Sequence, residues 1–140
     1  MTEKFIWGVI GFFGGFFVAA ATLVGTMVVF VIADLITGVI AAKKRGEILR
    51  SRKLKRTVDK MTWYALAIVM CHMLDAGVLP FVDLHLAAFA AAIICGVELY
   101  SILENAYSIT GNRVFWLLTQ FTTKKIEGAT GVDIKQKAEE

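Results

Sequence analysis

The chain has 140 residues, 57% hydrophobic and 19% charged, with a formal net charge of +3 and a mean hydropathy of +0.66. Soluble domains carry about 45–50% apolar and about 25% charged residues, so this composition excludes an ordinary soluble globule. The distribution points to a membrane: between Lys4 and Lys43 the only charge is Asp34, and one crossing needs only about 20 apolar residues.

In chain order, the pattern predicts an all-α polytopic membrane protein with four transmembrane helices, at about 5–21, 23–42, 61–79 and 84–104. They form a single transmembrane domain over 1–111. The start "MTEK" followed by "FIWGVIGFFGGFFV" and "AAA" has the outline of a secretory leader. The apolar run continues unbroken to Ala42, which reads instead as a retained membrane helix. The boundary between the first two helices is a turn near Thr22–Gly25; a re-entrant hairpin or one long bent helix fits the same letters. Along the first helix Gly8, Gly11 and Gly15 share a side, with Gly14 adjacent. Small residues spaced this way let helices approach closely in lipid, so they are candidate packing positions within or between subunits.

Nine of the fifteen basic residues lie in segment 43–60: Lys43, Lys44, Arg45, Arg50, Arg52, Lys53, Lys55, Arg56 and Lys60. Short loops rich in Lys and Arg stay cytoplasmic, which turns this loop inward. The turn holding Pro80 and Asp83 has no basic residue and faces outward. Four spans then leave both termini in the cytoplasm of a bacterial inner membrane. Between hydrophobic hairpins the basic loop reads as a topology signal that touches anionic headgroups, and no nucleic acid partner is expected.

After the fourth helix comes "VFWLLTQFTTKK". Val114, Leu117, Leu118 and Phe121 recur at helical spacing with Lys124 and Lys125 behind them, the pattern of an interfacial amphipathic helix over 112–126. Residues 127–140 read as a polar tail.

The chemistry sits in the polar groups inside. Asp34 lies nine residues before Lys43, about 13 Å deep at 1.5 Å per residue. A carboxylate there costs about 2.5–3.5 kcal/mol on insertion scales, so it is expected protonated, paired or facing water. It shares a small polar stripe with Thr37, Gly38 and Ala41. His72, at comparable depth on the third helix, is one candidate partner, and three residues before Asp75 it could instead pair on its own helix. On the fourth helix Glu98, Ser101 and Asn105 share a face, with Glu104 beside them. These groups serve equally as packing and hydrogen-bonding residues or as the lining of an aqueous path. Cys71 and Cys95 fall in apolar runs and read as small packing residues. No catalytic triad, phosphate-binding glycine loop or metal motif is visible; neither an enzyme nor a cofactor nor a metal is expected.

The stretches "DLITGVIAAKKRGEILRSRKLKRTVDK" and "ELYSILENAYSITG" together resemble the phage holin family associated with host lysis and toxin secretion. The matching positions are Asp34, Thr37, Gly38 and Ala42, then Ser51 and Lys60, then Glu98, Ser101, Ile102, Glu104 and Asn105. The likeness covers roughly residues 30–112. After Gly111 the sequence departs from the family pattern, with "NRVFW" where a proline-containing segment is often found. The resemblance implies a homo-oligomer in membrane lipid that forms lesions, working with a cell-wall hydrolase or a toxin. Two other readings compete with it. A proton-coupled efflux carrier would place its acid in the first helix, which has none; a non-conducting anchoring subunit needs the same packing chemistry as a holin.

Overall fold

A computed structural model describes residues 2–47, 52–78, 82 and 84–131. Among these every regular element is helical: α1 (Thr2–Lys44), α2 (Arg52–Met73) continuing into a π-helical turn (Leu74–Val78), α3 (Leu86–Thr110) and α4 (Arg113–Thr130). Arg50, Ser51, Pro80, Asp83 and the tail beyond Gly131 lie outside the described residues.

The first departure from expectation is α1. The turn near Thr22–Gly25 does not form, and the two helices expected at 5–21 and 23–42 are one helix of 43 residues. At 1.5 Å per residue it is about 65 Å long, roughly twice the hydrocarbon thickness of a bilayer. The physical reason lies in its side chains. The hydroxyls of Thr22 and Thr26 donate back to the carbonyls of Val18 and Thr22 at 3.0 and 2.9 Å, which absorbs the polarity within the helix. Gly25 alone costs only about 1 kcal/mol relative to alanine, and the chain's one proline is elsewhere. Polar letters without a proline did not break the helix.

Among the described residues two segments are long and apolar enough to cross a membrane, Gly14–Lys44 and Leu86–Thr110. The helix expected at 61–79 is the second half of α2 plus the π-helical turn, and the one expected at 84–104 runs on to Thr110.

The helices pack with alternating direction. Lys60 of α2 meets Asp34 while His72 meets Phe16, so α2 runs antiparallel to α1. Asn105 of α3 meets Asp34, and the Lys44 ammonium donates to the Ile109 carbonyl, so α3 runs parallel to α1. Between them the core is Met27, Val31, Ile68 and Ala91, edged by Leu23, Val24, Val28, Met61, Tyr64, Ala65, Ile94 and Cys95. Both cysteines are free thiols, and Cys95 has the packing role expected of it.

Two caps fix the ends of α3. Its N-cap residue His85 is left-handed (φ 49°) and makes no side-chain cap. Asp75 takes over from the π-helical turn, its two carboxylate oxygens accepting from the backbone N–H groups of Leu86 and Ala87 at 3.1 and 2.9 Å. At the other end Gly111 adopts φ 69°, where L side chains are strained, and its N–H closes on the Tyr107 carbonyl. Asn112 then caps α4 by accepting from the Val114 N–H at 3.0 Å. This tight link folds α4 back along α3, and fifteen residues on either side of Gly111 the two helices still touch. The Ile126 side chain comes within 2.9 Å of where a Cβ on Gly96 would sit.

Candidate functional site

A polar cluster ties three helices together at the level of Asp34. The Lys60 ammonium donates to Glu98 Oε2 at 2.7 Å and forms an ion pair with Asp34 Oδ2 at 3.5 Å. Glu98 has a side chain only 1% exposed, against 20% for Asp34 and 31% for Lys60. Asn105 Nδ2 reaches both Asp34 Oδ1 and Thr37 Oγ1 at 3.4 Å. Thr37 in turn donates to the carbonyls of Ala33 and Asp34 at 2.9 and 3.1 Å. Gly38 gives Asn105 room, since a Cβ there would stand 3.6 Å from Nδ2. Tyr64 lies within electrostatic reach of Glu98 and Asp34, and its ring lies 5.9 Å from the Lys60 ammonium.

The cause of this arrangement is helical spacing. Asp34, Thr37 and Gly38 sit on one side of α1, and Glu98 and Asn105 on one side of α3. Lys60 begins the apolar half of α2, with Tyr64 one turn on. Packing three apolar faces brings these groups to one level. A buried carboxylate with no partner is costly, whereas a lysine shared by two carboxylates satisfies both.

The sequence had placed Asp34, Thr37, Gly38, Glu98 and Asn105 among the functional residues, and the fold brings all five together. Its assignment of partners fares less well. His72 does not meet Asp34: its Nε2 hydrogen-bonds the Phe16 carbonyl at 3.0 Å and its ring lies 4.4 Å from the Phe16 ring. Nor does it pair with Asp75, which caps α3. Lys60, read as one more charge of the basic loop, is the residue that completes the cluster. The signal was its position, directly before Met61 where the apolar run of α2 begins.

Ser101 is half-buried one turn beyond Glu98. Glu104 is exposed and accepts a hydrogen bond from the Tyr100 hydroxyl at 3.0 Å, turned away from the cluster. Gly8, Gly11 and Gly15 face open space, where an added Cβ would meet nothing within 4 Å. The close approach that does occur, at Gly96, was not anticipated, although Gly96 stands four residues after Ala92 in the sequence.

Of the basic segment, Lys43, Lys44, Arg45, Lys55 and Arg56 are exposed at the end of the bundle where α1 stops and α2 starts. Arg45 Nη1 donates to Ser108 Oγ at 3.2 Å. Its Nε donates to Glu47 at 2.6 Å, a contact that raises the pKa of an already cationic group. The side chains of Arg52 and Lys53 lie outside the described residues. No group of three or more His, Cys, Asp or Glu side chains suited to a metal ion occurs among the described residues.

No curated protein and no solved structure matches the chain. The bacteriophage holin family, by contrast, matches residues 11–123, which include all four helices in whole or part and every residue of the cluster. That match covers most of the chain, and the apolar helices agree with it: the protein belongs to the bacteriophage holin family.

Proposed function

We propose that this protein oligomerises in the bacterial inner membrane and opens lesions through which a cell-wall hydrolase or a toxin leaves the cell. The observation that carries the reading is the Lys60–Glu98–Asp34 cluster inside an otherwise apolar bundle. Polar residues at such depth mark water or ion pathways in membrane proteins. In a closed subunit the three charges satisfy one another. In an assembly the same groups are available to face water, where separating them costs far less. Asp34, Thr37, Gly38, Glu98 and Asn105 are the residues that change partners, and Ser101 extends the polar side of α3 toward the cytoplasm, with Glu104 on its exposed side. The protein acts as a physical opening and performs no bond chemistry.

The basic segment 43–60 faces the cytoplasm in this reading, and so does the C-terminus. The continuity of α1 revises the expectation for the other end. One helix in place of two changes the number of crossings by one, so the N-terminus stands on the outer side. There the exposed Phe5, Ile6, Trp7 and Ile10, with Gly8, Gly11 and Gly15, form the surface that meets other copies.

The test is inducible expression in a bacterium with and without a cytoplasmic hydrolase that has no export signal of its own. Abrupt lysis only when both are present is the expected result. Intact membrane potential and no lysis would overturn it in favour of an anchoring subunit, whose partner would then co-purify in fixed stoichiometry.

A further inference from the structure

Helix α4 presents a physical contradiction. It runs back along α3 as far as Gly96, and Leu86–Thr110 is apolar and long enough to cross a membrane. Lys124 and Lys125 therefore stand about 20 Å along the hairpin from the Gly111 turn, counted at 1.5 Å per residue. If that turn is at the membrane surface, two exposed lysines lie near the middle of the hydrocarbon, beyond the reach of snorkelling. Each lysine at such depth carries an insertion cost, so the packed position of α4 is held against a penalty that a charged surface can relieve.

The contacts that hold α4 are of a kind that can be given up. Its buried face is Thr119 and Thr123, and both hydroxyls donate to carbonyls of their own helix, at 2.8 and 3.0 Å. The interlock is the Ile126 side chain over Gly96. The opposite face is built for something else. Val114, Leu117, Leu118 and Phe121 are exposed. They lead to a groove lined by Phe121, Lys124, Lys125, Gly128 and Ala129, with the Lys125 ammonium 5.7 Å from the centre of the Phe121 ring. The helix carries three basic residues (Arg113, Lys124 and Lys125) against one acid, Glu127. An apolar ridge bordered by cations complements a negatively charged leaflet.

We propose that α4 is a two-position strap: it packs on α3 through its threonine face, and on an anionic lipid surface it swings away to lie with Phe121, Lys124 and Lys125 against the headgroups. The Gly111–Asn112 link is the hinge. Departure of α4 uncovers the Gly96 side of α3 within the membrane. The occupant of the outer face is anionic lipid, and the strap operates whether or not the assembly opens a lesion.

Cross-linking of a Gly96→Cys/Ile126→Cys chain, with Cys71 and Cys95 replaced by serine, tests this in reconstituted full-length protein. Oxidation in phosphatidylcholine vesicles is expected to join the two positions efficiently. In vesicles rich in phosphatidylglycerol the yield falls several-fold, and the added substitutions Lys124→Gln and Lys125→Gln restore it. Circular dichroism in both lipids verifies that helix content is unchanged. Equal yields in both lipids would overturn the proposal and leave the lysines facing a second copy or water. Absence of the cross-link in both would overturn it at its starting point, the packed position.

Discussion

The two halves of α1 are made of similar letters and have opposite fates. The stretch before Phe16 is aromatic and glycine-rich, and its described side chains stand exposed: Phe5 is 74% and Trp7 70% accessible. From Met27 to Ala42 the same helix contributes Met27, Val31, Ala41 and Ala42 to fully buried positions and Asp34 and Thr37 to the ion cluster. Apolar character does not separate the two. What separates them is the presence of α2 and α3, whose contacts with α1 extend to Phe16 at His72. The C-terminal half is satisfied within one chain, and the N-terminal half is left for lipid or for another copy. The difference teaches that glycine spacing in this chain does not mark its own packing, whereas buried charge does.

The sharpest way to break this comparison is to remove the shared cation. Lys60→Met leaves Glu98 buried with no counter-charge and Asp34 without its ion pair. Breaking one side of a buried pair costs about 3–5 kcal/mol, and the 31% exposure of Lys60 puts the expected loss at the low end, about 3 kcal/mol. Reversible unfolding in mixed micelles measures it. Adding Glu98→Gln to Lys60→Met is expected to recover much of the loss, because the uncompensated charge is then gone. If Lys60→Met unfolds like the parent protein, the cluster does not hold the three helices together.

Next in size is the apolar part of the same half. Ile68 is fully buried against Met27, Val31 and Ala91, and Ile68→Ala is expected to cost about 2–4 kcal/mol through lost contacts and the cavity left behind. Met73→Ala, at an exposed position on the same helix, serves as the matched control and should change stability by less than about 0.5 kcal/mol. Equal effects at the two positions would mean that α2 does not pack on α1 as described.

A smaller effect is expected at the far end of the bundle. Asp75→Ala strips two backbone N–H groups of α3 of their acceptor, at a helix start whose own N-cap residue makes no side-chain bond. Loss of a helix cap costs about 0.5–2 kcal/mol. Faster amide exchange at Leu86 and Ala87, with the lower half of α3 unaffected, would locate the effect. Uniform exchange along α3 would show that the cap is not what anchors its start.

These positions differ in how far the letters alone revealed them. Asp34, Glu98 and Asn105 were legible because a polar residue inside an apolar run must find a partner, and helical spacing gives its face. The partner was not legible. Lysines near a membrane are counted as topology signals, and only packing shows that Lys60 turns inward to two carboxylates. His72 was misassigned for a related reason: its partner is a backbone carbonyl, which has no letter. The continuity of α1 was hidden because threonine and glycine mark turns in water, yet within an apolar helix the Thr22 and Thr26 hydroxyls bond to the preceding turn. The ends of α3 and α4 were only partly legible: α3 runs six residues past the expected 104 to its stop at Gly111, and α4 runs past the expected 126 to Thr130.

The smallest expected effect on the folded chain is also the one that sharpens the comparison most. Gly11→Leu adds a large side chain where nothing stands within 4 Å, and leucine is the better helix former by somewhat less than 1 kcal/mol. The stability of the isolated chain should therefore rise slightly or stay level. Self-association should not. If the N-terminal half of α1 meets other copies through its glycine side, four added carbons hold the backbones apart and remove the close contact that drives pairing in lipid. Energy transfer between labelled chains in bilayers should then fall at equal protein density, while Gly128→Ala, on α4, leaves it unchanged. Undiminished transfer for Gly11→Leu would assign the exposed half of α1 to lipid alone and move the contact between copies to the faces of α3 and α4.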